Sequence, residues 1–176
     1  RCTPFPGIDS DSRSAARGVM AYKLNTMGGM YFIPDFEPAE ARVPSTVGTL
    51  LQLARHGMYV NTGVMDRTIY LSCESLPAEP PLGDEWDDVI EASVRRLEYP
   101  VELPESLQGK LFKPSGALAA DEAEHNWRLR LSASGRQAGY DGVPRAREEY
   151  LLQTWPAPPS PPVTLRKTST FKSVQI

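Results

Sequence analysis

The chain has 176 residues, a formal net charge of −3 and an apolar fraction of 40%, which suits one domain with its own hydrophobic core. Seventeen prolines and thirteen glycines interrupt it too often for the long helices that a doubly wound α/β fold needs. The negative charge gives no chain-wide field to attract the phosphates of nucleic acid. The sequence contains no run of about 18 apolar residues, so it predicts no membrane-spanning helix.

The chain begins with a polar segment, residues 1–18, that predicts a flexible N-terminal arm. This segment lacks the apolar core of a signal peptide, so we expect a cytoplasmic protein. Two cysteines are also few for a secreted domain of this size. Cys73 lies in an apolar pattern that favours a buried thiol, and a Cys2–Cys73 disulfide is the alternative.

The next fifty residues alternate between strand signals and turn signals. Residues 19–34 contain two apolar stretches on either side of Gly28–Gly29, which predicts a β-hairpin. Residues 35–48 are rich in acidic residues and proline and predict a loop or turn, with a brief helix over 38–42 as the alternative. Residues 46–55 fit a short helix or a strand equally well.

Strand signals become stronger from residue 57 onwards. Residues 58–60 are an apolar run that ends at the turn sequence Asn-Thr-Gly. Residues 68–75 alternate between apolar and polar side chains. Residues 88–96 alternate as well, and β-branched residues at period two favour a strand over a helix there. The predicted inward residues are Ile69, Leu71, Cys73, Ile90, Ala92 and Val94, whereas Val89, Glu91, Ser93 and Arg95 point outward.

The clearest predicted strand is residues 126–135, NWRLRLSASG. Its inward residues are Trp127, Leu129, Leu131 and Ala133. Arg128 and Arg130 point the other way, which predicts a half-buried antiparallel strand whose outer face meets water. The predicted partner strand is residues 149–155, which follows after a polar loop.

The last part of the chain is dominated by proline. Residues 156–162, PAPPSPP, cannot continue a central strand, so we expect them to run in polyproline II conformation along a sheet edge and protect it. Binding of this segment in an aromatic groove of a partner is the alternative. Residues 163–166 predict a last edge strand, and residues 167–176 predict a frayed C-terminal tail.

Together these elements predict an all-β fold, an antiparallel β-sandwich of about seven or eight strands. The sandwich spans residues 19–166 between the N-terminal arm (1–18) and the C-terminal tail (167–176). The predicted core residues are Ile69, Leu71, Ile90, Val94, Trp127, Leu129, Leu131, Tyr150, Leu152 and Trp155.

The sequence offers no catalytic constellation. His56 and His125 are the only histidines, and no serine lies in a nucleophile-elbow pattern. Cys73 points inward, away from the exposed electropositive setting that a nucleophilic thiolate needs. The scattered histidines and cysteines lack the spacing of zinc ligands. We therefore expect no enzyme, no cofactor and no bound metal; a hydrolase that uses His56 or His125 is the alternative.

An acidic cluster, GDEWDD, lies just before the strand predicted at residues 88–96. It lacks the ligand positions of an EF-hand loop, which argues against calcium. Trp86 supplies an aromatic anchor surrounded by negative charge, as at interface hot spots, and the charge favours a cationic partner. The predicted partner-binding site is therefore Asp84, Glu85, Trp86, Asp87 and Asp88. A solvated loop with Trp86 tucked beneath it is the alternative.

Basic residues form the alternative site, on and after the strand at residues 126–135. The basic face consists of Arg128, Arg130 and Arg136. Such a face could bind nucleic acid or a small anionic ligand. Tyr140 is the one nearby aromatic residue that could stack on a base, which makes nucleic acid the weaker hypothesis. The simpler interpretation pairs these arginines with Glu148 and Glu149 across neighbouring strands.

Two motifs carry resemblances to known proteins. The segments DEWDDVIEASVRR and EEYLLQTWPAPPSPPVTLRKT resemble small actinobacterial proteins of unassigned activity over roughly residues 57–165, and this resemblance implies a β-sandwich. The strand with Tyr150, Leu152 and Trp155 is similar to the Y-x-L-x-x-W-x-x-P strand of the competence-associated nuclease inhibitor family. That likeness implies a protein that occludes a nuclease or toxin, with the acidic cluster as a decoy for a phosphate-binding surface.

The function predicted from the sequence is a non-catalytic protein-interaction module, with an inhibitor or immunity-type protein as the narrower form. Its expected partner is another protein rather than nucleic acid or a membrane. A β-domain that binds a small ligand or nucleic acid through the basic face is the alternative.

Overall fold

The structure is a computed structural model that describes residues 21–26, 28–34, 36–39, 45–54, 57–64, 68–96, 126–137 and 147–170. These residues form eleven β-strands in two sheets. In chain order the strands are β1 (Ala21–Asn25), β2 (Met30–Pro34), β3 (Phe36–Pro38), β4 (Ser45–Val47), β5 (Leu51–Ala54), β6 (Gly57–Asn61), β7 (Thr68–Ser75), β8 (Asp88–Arg96), β9 (Trp127–Ser134), β10 (Glu149–Pro156) and β11 (Val163–Lys167). No helix within the described ranges is long and apolar enough to cross a membrane.

The larger sheet contains seven strands. Six of them follow the order β1-β7-β10-β9-β8-β11, and β3 also pairs with β8. Neighbours run antiparallel except for β7 and β10, which run parallel. β11 and β3 share one edge of β8, because β11 pairs with residues 88–91 and β3 with residues 94–96.

The smaller sheet contains four antiparallel strands in the order β2-β6-β5-β4. β4, β5 and β6 are neighbours both along the chain and in the sheet, so short connections join them. Gly48 lies in the connection between β4 and β5 with φ at 58°, a backbone conformation that favours glycine.

One hydrophobic cluster joins the two sheets into a β-sandwich, as the sequence predicted. It forms because strands bury every second residue, a pattern that β7 shows along its full length. Nine of the predicted core residues lie in this cluster: Ile69, Leu71, Ile90, Val94, Trp127, Leu129, Leu131, Tyr150 and Leu152. Trp155 is also buried, but it lies outside the cluster, on the opposite face of the larger sheet.

The predicted hairpin at residues 19–34 is wrong. β1 pairs with β7 in the larger sheet, whereas β2 pairs with β6 in the smaller one. Gly28 and Gly29 do turn the chain, with φ at 60° and 77°, but the turn leads from one sheet to the other. The local sequence therefore marked the turn correctly and gave the wrong partner for each strand.

The other ambiguous segments are resolved as strands. Residues 46–55 supply the end of β4 and all of β5, with a turn between them. Residues 88–96 form β8, and the predicted pairing of β9 with β10 is confirmed. Pro38 ends β3 instead of starting a helix, and residues 40–42 lie outside the described part of the chain.

Several predicted features cannot be compared with the structure, because residues 1–18, His56, His125, Tyr140 and 171–176 lie outside the described residues. The same holds for Cys2 and its predicted alternative pairing with Cys73. The described part of the C-terminal tail is not frayed. Lys167 belongs to β11, and the backbone N–H of Thr168 donates to the carbonyl oxygen of Asp87 at 2.9 Å.

Candidate functional site

The acidic cluster lies in the connection between β7 and β8, against β11. Arg166 donates to the carbonyl oxygens of Gly83 and Trp86 at 2.7 and 3.1 Å, and to Asp84 Oδ1 at 3.1 Å. The side chain of Asp84 stays fully exposed despite this ion pair, and Glu85 is exposed as well. These two carboxylates are the part of the predicted partner-binding site that faces solvent.

Trp86 and Asp87 hold the loop in place. Trp86 is half-buried. Asp87 Oδ2 accepts a hydrogen bond from the backbone N–H of Gly135 at 3.0 Å, and the Asp87 carbonyl accepts from the hydroxyl of Thr168 at 2.8 Å. The structure therefore does not bring the five predicted residues together on one surface.

Asp88 and Arg136 were assigned to opposite predicted sites, and in the structure they pair with each other. Both are buried, and Arg136 Nη1 donates to Asp88 Oδ2 at 2.6 Å. Arg136 also donates to the carbonyl of Thr49 in the smaller sheet, while the hydroxyl and N–H of Ser169 donate to Asp88. This pair connects both sheets with the C-terminal segment, so neither residue is available at the surface.

The expectation that Arg128 and Arg130 meet water is wrong. The two residues are 6% and 2% exposed. Glu91, which lies opposite Arg130 on β8, bridges both guanidinium groups. Its Oε2 accepts from Arg128 Nε at 3.0 Å and its Oε1 from Arg130 Nε at 2.8 Å. Arg128 and Arg130 do not pair with Glu148 and Glu149 as predicted, and Glu149 pairs with Arg147 at 2.9 Å. Charge-assisted bonds from two guanidiniums fix the carboxylate of Glu91 in one geometry.

Two proline-rich connections cover the outer face of the larger sheet. Residues 76–87 lead from β7 to β8, which are separated in the sheet by β10 and β9. Residues 157–162 lead from β10 to β11 and must pass β9 and β8. The predicted course of residues 156–162 along a sheet edge is therefore wrong for 157–162, because these residues cross the face.

The arginines of β9 hold both connections against the sheet. Arg130 donates to the carbonyl of Pro80 at 2.7 Å and to Glu79 Oε1 at 2.9 Å. Arg128 donates to the carbonyls of Ser160 and Pro161 at 2.9 and 3.2 Å. The Arg130 guanidinium also lies 5.1 Å from the ring centroid of Trp155, within the range of a cation–π interaction. The residues on the outer face of the larger sheet around Arg128 and Arg130 are therefore buried beneath these two connections.

A second buried carboxylate, Glu148, lies just before β10 and was missed as an interior group. Its Oε1 accepts hydrogen bonds from the Gly63 N–H at 2.7 Å and from the hydroxyl of Tyr150. Its Oε2 and the hydroxyl of Tyr31 have no hydrogen-bond partner among the described residues. The rings of Tyr31 and Tyr150 meet edge to face at 5.6 Å.

Burial dominates the electrostatics of this group. It raises the pKa of Glu148, although the hydrogen bonds from Tyr150 and Gly63 and the charge of Arg136 act in the opposite direction. Burial likewise raises the pKa of Tyr31 and Tyr150 well above the ordinary tyrosine value. Since all three side chains are enclosed, a substrate could reach them only by displacing the core.

The surface that the sequence reasoning missed lies on the outside of the smaller sheet. Phe32 and Tyr59 stand directly opposite each other on β2 and β6, and they are 44% and 37% exposed. Their ring centroids are 4.8 Å apart with the planes tilted by 44°. Gln52 of β5 is the neighbour of Tyr59 on its other side. We call the outer side of the smaller sheet around Met30, Phe32, Gln52 and Tyr59 the aromatic face.

Gly57 makes room for the ring of Phe32. A Cβ atom placed at residue 57 would lie 2.5 Å from Phe32 Cζ, so the ring occupies the space that a side chain would need. Aromatic residues cover glycines in other β-sheets in the same way. The ring of Phe32 is thus held between Gly57 and Tyr59.

A sequence signal for the aromatic face was available. None of the four strands of the smaller sheet contains a charged residue, whereas 23% of the whole chain is charged. A sheet face that meets water usually carries polar outward residues. The signal was missed because residues 46–55 were left undecided and residues 19–34 were assigned to one hairpin.

No protein-family model, curated protein or solved structure matches this chain. The two resemblances inferred from sequence motifs therefore stay predictions. Within the described residues, no group of three or more histidine, cysteine, aspartate or glutamate side chains is arranged to hold a metal ion.

Proposed function

We propose that this protein is a non-catalytic protein-interaction module that binds its partner through the aromatic face. The observation that carries the proposal is the exposure of Phe32 and Tyr59 on a sheet whose strands contain no charged residue. Tyrosine and phenylalanine are enriched at the core of protein–protein interfaces relative to the rest of the protein surface. The expected cytoplasmic location is part of the proposal and rests on the low cysteine content of two residues.

The two rings have the properties of interface anchors. An aromatic side chain buries roughly 150–250 Å² when fully covered, so the exposed fractions leave on the order of 80 Å² per ring for a partner to cover. At about 25 cal/mol per Å², covering each ring contributes roughly 2 kcal/mol. The rings also lose little conformational freedom on binding, because they already pack on each other and on Gly57.

The outer face of the larger sheet does not offer a comparable surface. Its arginines are committed to Glu91 and to the two proline-rich connections. The alternative function is binding of nucleic acid or a small ligand by Arg128 and Arg130. It needs exposed cations, and both of these guanidinium groups are buried. Phosphate binding at this face would require both connections to leave the sheet.

The proposal is tested by comparing the wild type with the double variant Phe32→Ser, Tyr59→Ser. Proteins that the tagged wild type retains from its own cells are identified, and the candidate partner is then purified. Titration calorimetry with purified partner should show binding weakened at least tenfold in the double variant, because the variant removes both anchors.

Leu82→Ser is the matched control, since Leu82 is 40% exposed but lies in the 76–87 connection, away from the smaller sheet. It should bind the purified partner with wild-type affinity. Equal affinity of the wild type and the double variant would overturn the assignment of the aromatic face.

A second surface is supported by the exposure of Asp84 and Glu85 next to Leu82 in the chain. It would suit a cationic partner and corresponds to the narrower expectation of an inhibitor or immunity-type protein. In that case Asp84→Asn with Glu85→Gln, rather than the serine double variant, should weaken binding to the purified partner. The loss should also be smaller at high salt, because exposed charges are screened there.

A further inference from the structure

β2 forms an edge of the smaller sheet, and no described residue pairs with its outer side. The other sheet edges carry features that discourage pairing with another chain. β11 contains an irregularity between Thr164 and Arg166 and ends in two basic residues. β1 contains Lys23, and β4 has only three residues. β2 combines five residues, regular pairing and the absence of charge, and its one protective feature is Pro34 at its end.

The pairing of β2 with β6 shows which backbone groups point to the free edge. The N–H of Thr62 donates to the carbonyl of Gly29 at 2.8 Å, just before β2 begins. Hydrogen-bonded and non-bonded pairs alternate in an antiparallel ladder, so Tyr31 and Ile33 direct their backbone groups toward β6. The backbone groups of Met30, Phe32 and Pro34 therefore point away from β6.

Phe32 is the central residue of β2, and this makes the free edge self-complementary. In an antiparallel pair of two β2 strands centred on Phe32, the Phe32 N–H of each copy donates to the Phe32 carbonyl of the other. The Met30 N–H of each copy then meets the Pro34 carbonyl of the other. Pro34 has no N–H, so the Met30 carbonyl of each copy receives no hydrogen bond in this register. Four backbone hydrogen bonds join the two strands: two between the Phe32 residues and two from Met30 N–H to the Pro34 carbonyl.

The same register aligns the aromatic side chains. Residues directly opposite each other in an antiparallel pair lie on the same face, so the two Phe32 rings become neighbours on the outer side. Each Phe32 already stands beside Tyr59 of its own chain. The result is a continuous row of four rings across the joined sheets. Because the strands of the sheet contain no charged residue, no like charges within these strands face each other across the shared edge.

We propose that the partner of the aromatic face is a second copy of this chain, joined edge to edge through β2 around a two-fold axis at Phe32. This inference rests on the proposed function and names its partner. The two smaller sheets then form one eight-stranded sheet, with the isologous contact that two-fold dimers require. Edge pairing covers less than the roughly 1,200 Å² of stable interfaces, so we expect a weak dimer with a dissociation constant on the order of 10–100 µM.

A charge-swap experiment tests the two-fold arrangement. Phe32→Lys and Phe32→Glu are prepared separately, and their masses in solution are measured by sedimentation over about a hundredfold range around the expected dissociation constant. Each variant alone should be at least tenfold weaker in self-association than the wild type, because like charges face each other across the axis. An equimolar mixture of the two variants should form a dimer again, because opposite charges then face each other.

Leu82→Lys is the control and should associate like the wild type. The inference is overturned if the wild type stays monomeric over the whole concentration range. It is also overturned if the wild type dimerises but the mixture of the two charge variants stays monomeric. Neither result affects the proposed function, which is tested separately. That test compares the affinities of the wild type and of the serine double variant for a purified partner of different sequence. Self-association and partner binding that both stay unchanged when Phe32 is replaced would overturn both proposals.

Discussion

The outer faces of the two sheets differ in what covers them. On the larger sheet, charged residues of β8 and β9 lie beneath the two proline-rich connections and are as buried as the core. On the smaller sheet, two aromatic rings remain in contact with solvent. Residue polarity alone would have suggested the opposite assignment, since arginine is typically exposed and phenylalanine typically buried.

Topology explains this reversal. β7 and β8, and likewise β10 and β11, are consecutive in the described chain order but not adjacent in the sheet. The connections between them have to cross the face and so cover it. β4, β5 and β6 are adjacent in both senses, so the short connections between them do not need to cross their outer face. Coverage of a sheet face is thus set by the order of the strands rather than by their composition.

The largest expected effect concerns the covered face. Glu91→Ala leaves the guanidiniums of Arg128 and Arg130 without their shared carboxylate, and an unpaired buried charge costs about 3–5 kcal/mol. Denaturant unfolding should show a loss of that size in the free energy of unfolding. Glu149→Ala, which removes a partly exposed partner of Arg147, should cost less than about 1 kcal/mol. Equal losses for the two variants would mean that the covered face is solvated.

A smaller effect is expected when one connection loses its anchor. Arg128→Met removes the hydrogen bonds to the Ser160 and Pro161 carbonyls but leaves Glu91 paired with Arg130. We expect a destabilisation of about 1–3 kcal/mol and faster hydrogen exchange at the Ser160 amide, which donates to Ser93 Oγ. Arg166→Met, in the more exposed pair with Asp84, should leave that amide protected. Unchanged exchange in Arg128→Met would show that the connection does not depend on this arginine.

Glu148 sharpens the comparison, because it is a buried carboxylate with one unpartnered oxygen whereas Glu91 is fully paired. Burial raises the folded-state pKa of Glu148 above its ordinary value of 4.5. At pH values between the unfolded-state pKa and the folded-state pKa, folding is therefore accompanied by the uptake of a proton at Glu148. The contribution of this group to stability is complete below pH 4.5 and declines as the pH rises through the folded-state pKa. It amounts to about 1.4 kcal/mol for each unit by which the pKa is raised.

Glu148→Gln removes this titration. The stability of the wild type relative to Glu148→Gln should therefore fall as the pH increases from about 4.5. Parallel pH profiles for the two proteins, measured by denaturant unfolding, would contradict a raised pKa at this residue.

The smallest effect is expected on the open face. Tyr59→Ser and Phe32→Ser should each change the free energy of unfolding by less than about 1 kcal/mol, the value of a cross-strand aromatic pair. Val60→Ser, one residue away but fully buried on the inner side, should cost several times more, about 2–5 kcal/mol. Similar losses at residues 59 and 60 would place the aromatic rings in a covered environment.

The sequence determined the strands with clear alternation and the residues that they turn inward. Period-two patterns identified β7, β8 and β9 with their inner faces, because alternation depends only on the local pleat of the backbone. β10 was predicted as the partner of β9, but its Trp155 was assigned to the core and lies on the outer face. The Gly28–Gly29 turn was identified for the same reason, since positive φ is a local requirement. The acidic cluster was located as well, but only Asp84 and Glu85 of its five residues are exposed.

Only the tertiary structure decided what lies against the outward-facing residues. The arginines of β9 do point away from the core as predicted, yet the chain returns over them twice. Alternation cannot reveal this, because it separates the two faces of a strand without stating which of them another segment covers. The partners of β1 and β2 were predicted wrongly for the same reason. Strand pairing joins residues far apart in the chain, and its energy comes from contacts that no local pattern contains.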